Sequence, residues 1–237
     1  MKKLIIDEGN TRVKYAVFEG DKILIKLNDI SISRLNTIAS SCDRIIISSV
    51  LEESSLFNHF KDRNILIVDS STKLPIKISY ETPKTLGNDR KALVVGANQL
   101  FPNEDVLVID LGSCITFDFI NSENTYVGGS ISPGIKMRYK SLNQYTSKLP
   151  MIDVTNPPDL IGINTYDCIH SGVHNGVLGE INYQIQSYSN IYPKIKIIIT
   201  GGDFNLFDME LKNSIFADPN LLMKGLNKIL DYNESYF

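Results

Sequence analysis

The chain has 237 residues, which suits one large domain or two small ones and is enough to bury a sizeable core. With 43% hydrophobic and 22% charged residues the composition is that of a globular protein and excludes a disordered one. A formal charge of −3 excludes the basic excess expected of a duplex binder, so no nucleic acid partner is expected.

From the N-terminus, Leu4–Asp7 reads as a short apolar strand closed by Asp-x-Gly. Arg12–Phe18 alternates as a strand should, with Val13, Tyr15 and Val17 on one face. Glu19-Gly20-Asp21 is a turn, and Lys22–Leu27 a third strand. Leu35–Ala39 is a short helix, Arg44–Val50 a β-branched strand, Glu52–Lys61 a helix and Ile65–Val68 a strand. Asp89–Leu100 follows as a helix, with Leu93, Ala97 and Leu100 on one face.

Then the pattern restarts. Val106–Asp110 is a strand closed by Asp-x-Gly, and Ile115–Ile120 and Thr125–Val127 are two more strands. Pro133 is expected to open a helix towards Leu149, since proline suits a first turn. Thr165–Ser187 holds a long helix. Lys194–Thr200 is a strand running into Gly201-Gly202-Asp203. Ser214–Ala217 reads as an edge strand and Leu222, Leu226 and Ile229 as a terminal helix. No apolar run reaches the roughly 18 residues of a membrane helix, so no membrane partner is expected. Three scattered cysteines, Cys42, Cys114 and Cys168, give no disulfide framework and point to a reducing, cytoplasmic setting.

The restart is an internal repeat: Leu4–Thr11 aligns with Leu107–Cys114, and each copy begins a three-stranded meander. Two such halves facing each other would bring both Asp-x-Gly turns to one cleft. A glycine turn lets backbone N–H groups approach an anion closely, and Asn10 and Thr11 add side-chain donors. Asp7, at a strand tip, suits Mg²⁺, held directly or through its waters. Ser113 offers a hydroxyl in the second turn, and Gly201-Gly202 a flat surface for an adenosine. A plain hairpin turn accounts for either Asp-x-Gly equally well, because Asp, Gly and Asn are ordinary turn residues. Gly87-Asn88-Asp89-Arg90 is more specific. Asp89 is expected at a helix N-cap, where carboxylates are common. Arg90 beside it supplies a fork that grips carboxylates, so the pair suits phosphorylation of a small hydroxy acid.

Taken in order, these motifs resemble the type III pantothenate kinases, a branch of the sugar kinase/Hsp70/actin superfamily. The matching residues are Asp7-x-Gly9-Asn10-Thr11, Tyr80-x-x-Pro83, Gly87-x-Asp89-Arg90, Asp110-x-Gly112-Ser113, Asp118, Gly128–Gly134, Gly162-x-Asn164-Thr165 and Thr200-Gly201-Gly202-Asp203. The resemblance implies an α/β chain of two duplicated RNase H-like (actin-like ATPase) domains, 1–104 and 105–237. Each would be a mixed sheet with helices on both faces, with the active cleft between them. It further implies a homodimer and ATP-dependent phosphorylation of pantothenate, the first step of coenzyme A synthesis. By position, it implies that Asp7, Glu8, Gly9, Asn10, Thr11, Arg12, Val13 and Lys14 form the ATP phosphate loop, with Ser113 a further ATP contact. Asp89 would accept the hydroxyl proton. Tyr80, Gly87, Asn88, Asp89, Arg90 and Thr165 would hold pantothenate, and Asp110 a monovalent cation, K⁺ or NH₄⁺. The second turn departs from the family in reading Ser113-Cys114 where Thr-Ala is usual; serine keeps the hydroxyl.

Three other functions remain open at this level: another kinase of the superfamily acting on a sugar or acetate, an RNase H-like nuclease using Asp7, Asp110 and Asp118, and a non-catalytic scaffold. Cys168, His170 and His174 invite a metal reading, since the two histidines, at i and i+4, share a helix face, but no Glu follows the first His, so packing or solvent exposure is expected there rather than zinc. Tyr139, Tyr145, Tyr166 and Tyr183 are expected in core or dimer packing, and Ile131–Leu149 is a candidate dimer surface.

Overall fold

The computed structural model describes residues 1–51, 54–153, 156–207 and 215–234. It divides into two compact units. The first comprises Met1–Asn103, Ile120–Val127 and Asn220–Phe237, the second Glu104–Phe119 and Gly128–Pro219.

In the first unit the strands are β1 (Lys2–Glu8), β2 (Val13–Glu19), β3 (Lys22–Asn28), β4 (Arg44–Ser49) and β5 (Ile65–Ile67). They lie in the order β3-β2-β1-β4-β5. β1 is antiparallel to β2 and parallel to β4. It is the central strand, and Leu4, Ile5 and Ile6 are all fully buried, as a strand covered on both faces requires. Successive side chains point to opposite faces. Leu4, Ile6, Ile45 and Ile47 therefore share one face, packed with Leu35 and Ala39 of α1 (Ile32–Ser40) and Leu56 of α2 (Ser55–His59). The helix expected from Glu52 thus begins at Ser55; Glu52 itself lies outside the described residues.

Two further helices, α3 (Asn88–Leu100) and α6 (Leu221–Tyr232), pack along each other, and α6 lies against β1 and β4. Their approach depends on glycine: a Cβ on Gly225 would sit 1.8 Å from the Ala92 carbonyl oxygen, and one on Gly96 2.6 Å from that of Leu221. Lys3 on β1, 2% exposed, ties α6 down through a 2.6 Å bond to the Asp231 carboxylate. Seven elements were expected in this unit before α3. A further strand that the sequence did not suggest, β6 (Lys77–Ile78), pairs in parallel with Thr125 and Tyr126, the part of β9 (Thr125–Pro133) that belongs to this unit.

In the second unit β7 (Val106–Leu111), β8 (Cys114–Ile120), the remainder of β9, β10 (Lys196–Thr200) and β11 (Ile215–Ala217) lie in the order β11-β10-β7-β8-β9. This is the order of the first sheet once more, with each opening meander flanked by two later strands, and β10 parallel to both β7 and β11. Ser214, expected to start β11, lies outside the described residues. One sheet face, carrying Leu107, Ile109, Phe117, Ile197 and Ile199, is packed by α4 (Ile135–Gln144) and α5 (Thr165–Ile191). An Arg138–Glu180 ion pair links these two helices. Pro133 does not open α4; it is the last residue of β9, Gly134 is the N-cap, and the helix stops at Gln144. α5 runs four residues past the expected Ser187, to Ile191.

Candidate active site

In the first unit the Asp-x-Gly turn caps the β1–β2 hairpin. Gly9 N–H donates to the Arg12 carbonyl at 3.1 Å, and Asn10, Thr11, Arg12 and Lys14 are exposed around it. Asp7 sits behind this turn and is only 4% exposed. Burial pushes its carboxyl up to about 6 from an ordinary 3.8. Lys14, opposite Asp7 in the β1–β2 register, pulls it back down. Asp89 and Glu8 push it further up, and the neighbouring Ser48 side chain lowers it. Asp7 and Asp89, 82 positions apart in the chain, are thus near enough for their charges to interact. Glu8 is also buried and accepts a 2.7 Å bond from the Ser49 hydroxyl.

Asp89 is not the N-cap of α3. Gly87 holds that position, and Asp89 is the second helical residue, where an acid favours the helix dipole. Its Oδ1 accepts the Arg90 N–H at 2.8 Å, using an amide that the helix leaves unpaired. A Cβ on residue 87 would lie 2.4 Å from that same oxygen, so a side chain there would displace the Asp89 carboxylate. Asn88 is anchored by donating to the Val68 carbonyl at 2.8 Å, and its Oδ1 accepts from Lys91 Nζ at 3.1 Å.

Arg90 is buried, 6% exposed. Its Cζ lies over two aromatic rings, 6.0 Å from the Tyr80 centroid and 5.9 Å from that of Tyr126, and the two rings are 6.0 Å apart. The β6–β9 pairing makes this cluster: Ile78 is opposite Tyr126, and Ser79 N–H donates to the Tyr126 carbonyl at 2.9 Å, which delivers Tyr80 beside Tyr126. Tyr126 escaped the sequence reading. Its one signal was an aromatic residue immediately ahead of the Gly128-Gly129 motif.

The second unit repeats the turn. Gly112 N–H donates to the Cys114 carbonyl at 3.1 Å, with Asp110 half-buried before it and Ser113 exposed. Two glycines press on this turn. A Cβ on Gly134 would lie 2.3 Å from the Gly112 carbonyl oxygen, and Gly201, at φ +106°, has room for no Cβ within 2.3 Å of the Leu111 oxygen. Asp203 N–H donates to the same Leu111 carbonyl at 2.9 Å. The repeat extends to register: Asp7 is opposite Ser48 on its parallel neighbour, and Asp110 is opposite Thr200 on its own. In both units a hydroxyl residue therefore borders the strand-tip aspartate. Neither Ser48 nor Thr200 had been tied to its aspartate in the sequence. Asp118 is fully buried on β8 and accepts from the Thr116 hydroxyl at 2.8 Å. Thr165 is the exposed first residue of α5, after the Asn164 cap, whose side chain accepts from Asp167 N–H.

Of the residues that tempted a zinc reading, His170 is engaged by Tyr139 OH at 2.8 Å and the Asn156 carbonyl at 2.7 Å, and His174 stacks on Phe207. Among the described residues no cluster of three or more His, Cys, Asp or Glu could hold a metal ion. Tyr139 is core, as expected, whereas Tyr145 and Tyr183 are 87% and 70% exposed. Among the described residues no helix is long and apolar enough to cross a membrane.

The fold is the one shared by actin-like ATPases and sugar kinases. A glucokinase from an Antarctic psychrotroph aligns with 98% of this chain and 99% of its own, at a TM-score of 0.53 and 12% identity. A conserved Campylobacter jejuni protein of the Baf family, described as a transcriptional activator, aligns at TM-score 0.61 and 25% identity over 98% of this chain and 99% of its own. Sequence narrows the class. The profile of the type III pantothenate kinase family matches residues 3–187. The type III pantothenate kinase of Christiangramia forsetii is 41% identical over 98% of this chain and 99% of its own, and that of Phocaeicola vulgatus 41% over 98% of each. The chain belongs to the type III pantothenate kinase family.

Proposed function

We propose that this chain transfers the γ-phosphoryl group of ATP to the terminal hydroxyl of pantothenate, giving 4′-phosphopantothenate for coenzyme A synthesis. Family membership over nearly the whole chain supports the reaction. The observation that carries the residue roles is the helix start Gly87-Asn88-Asp89-Arg90, whose carboxylate acts electrostatically on Asp7. In this reading Asp89 takes the hydroxyl proton as the oxygen attacks. Arg90 binds the pantothenate carboxylate, with Tyr80, Gly87, Asn88 and Thr165 as further contacts. Residues 7–14 receive the ATP phosphates, Lys14 bringing positive charge, and Ser113 adds a hydroxyl contact.

Asp7 is a fitting ligand for Mg²⁺. It is a buried carboxylate pushed up by desolvation and by two like charges, and a divalent cation would offset all three. When bound there, directly or through water, Mg²⁺ supplies charge neutralisation at the phosphates. Asp110, a half-buried carboxylate at the second turn, is assigned to K⁺ or NH₄⁺. The protein's own part in catalysis is positioning, because phosphoryl transfer asks for little covalent chemistry from side chains.

The working form is read as a cytoplasmic homodimer, which sedimentation at equilibrium tests directly. A regulatory reading is raised by the likeness to the Campylobacter jejuni protein. The net charge of −3 stands against binding to nucleic acid, and absence of a salt-dependent shift with duplex DNA would set it aside. The reaction itself is tested by presenting ATP and Mg²⁺ with pantothenate, a hexose or acetate. Product formation with a hexose or acetate alone would replace the substrate assignment.

A further inference from the structure

We infer that Tyr126 is a positioning residue for pantothenate binding, acting through Arg90. The inference rests on the reading of Arg90 as the carboxylate-binding residue and adds the element that fixes its direction. Tyr126 is completely buried, so it meets no substrate itself. Its ring nevertheless lies 5.9 Å from Arg90 Cζ and 6.0 Å from the half-buried Tyr80 ring, so the cation and the two rings form a triangle with sides near 6 Å. These distances fall within the range over which an aromatic face attracts a guanidinium, and burial strengthens the attraction. A guanidinium offers two kinds of surface. Its flat faces suit aromatic rings, while its edges carry the N–H donors that grip a carboxylate. A ring that meets the face supports the group while leaving the edge donors for a carboxylate.

Local structure gives this support its stiffness. Tyr126 is locked on β9 by the bond from Ser79 N–H and by its place opposite Ile78, whereas Tyr80 lies beyond the end of two-residue β6. Arg90, three residues into α3, is fixed at its backbone by the Asp89 carboxylate. A long side chain lies between the helix and the guanidinium, and the Tyr126 ring packs at its far end. Loss of that packing leaves Arg90 charged and present but poorly aimed. The effect should fall on pantothenate KM and leave the chemical step alone.

The test is a ring-electronics series at position 126, read by steady-state kinetics with pantothenate and, separately, ATP as the varied substrate. Tyr126→Phe keeps the ring and is expected to hold pantothenate KM within about twofold. Replacement by 4-fluoro-, 3,5-difluoro- and 3,4,5-trifluorophenylalanine keeps the shape while draining the ring face. Pantothenate KM is expected to climb with each fluorine, to about 5- to 30-fold, at constant kcat and constant ATP KM. Tyr126→Leu should match the top of that range, and its urea midpoint shows whether it folds; if it does not, the fluorinated series decides. A flat KM across the series, or a loss confined to kcat, overturns the inference while Arg90→Ala still raises KM. An Arg90→Ala variant with unchanged pantothenate KM removes the underlying reading, and the inference with it.

Discussion

Replacing Asp7 by Asn perturbs the charge of the proposed phosphate site while keeping its shape. In the folded chain burial moves the Asp7 carboxyl up to about 6 from 3.8, with Asp89 and Glu8 adding to the rise and Lys14 and Ser48 offsetting part of it. A carboxyl that ionises less readily when folded keeps its proton longer in the native state than in the unfolded one. Native stability contributed by the protonated form is therefore present below about pH 4 and is lost as pH rises to about 6, levelling off above. The loss corresponds to about 3 kcal/mol, at 1.36 kcal/mol per unit. An amide has no such ionisation cost. In the absence of nucleotide and Mg²⁺, Asp7→Asn should unfold at a urea concentration about 1 M above wild type near pH 7.5, for a slope near 3 kcal/mol per M. Near pH 3.5 the two midpoints should converge. Circular dichroism during urea titration at both pH values measures this. The same variant should lose turnover, the trade expected where a site keeps a destabilising charge for function. A midpoint gain that is equal at both pH values, or a variant less stable than wild type near pH 7.5, would refute the electrostatic argument.

Four further substitutions test other parts of the molecule. Asp89→Asn is expected to retain ATP binding by calorimetry and to lose about 10²- to 10⁴-fold in kcat, the usual worth of a general base; near-normal turnover would remove Asp89 from that role. Arg90→Ala should raise pantothenate KM by about 10- to 100-fold through loss of a charged hydrogen bond, with ATP KM unchanged. Gly225→Ala should cost about 1–3 kcal/mol or more, because its Cβ would fall 1.8 Å from the Ala92 oxygen and push α6 off α3. Gly176→Ala is the matched control at an exposed position of α5, with no atom beyond its own stretch of helix within 4 Å of the new Cβ, and should stabilise by up to about 1 kcal/mol. Urea midpoints that move in the same direction would contradict the packing account.

Much of this was legible along the chain because it is written locally. The apolar runs around Leu4–Ile6 and Leu107–Ile109 mark strands buried on both faces, and the Asp-x-Gly that closes each marks a turn. The repeat seen there proved deeper than a motif, since both sheets share one strand order. What stayed hidden is decided by contacts distant in sequence. β6 has two residues and no hydrophobic period, and it exists through its bonds to β9. Without it nothing in the sequence sets Tyr80 beside Tyr126. The neighbours of Asp7 and Asp110, Ser48 and Thr200, follow from parallel register, which no local pattern encodes. Proline at 133 suits a helix start as well as a strand end, and here the strand continues through it to a glycine cap. Asp89 was offset by two positions from its expected cap because Gly87 offers no side chain to reveal the helix start, and a larger residue there would have met the Asp89 carboxylate.

The most direct test is ADP release by the purified chain with ATP and Mg²⁺, coupled to detection of the phosphorylated product. With pantothenate the account predicts one ADP per 4′-phosphopantothenate formed, faster when K⁺ or NH₄⁺ replaces Na⁺ as the sole monovalent cation, and background release without an acceptor. ADP release that ignores pantothenate, or that appears only with a hexose or acetate, would contradict it.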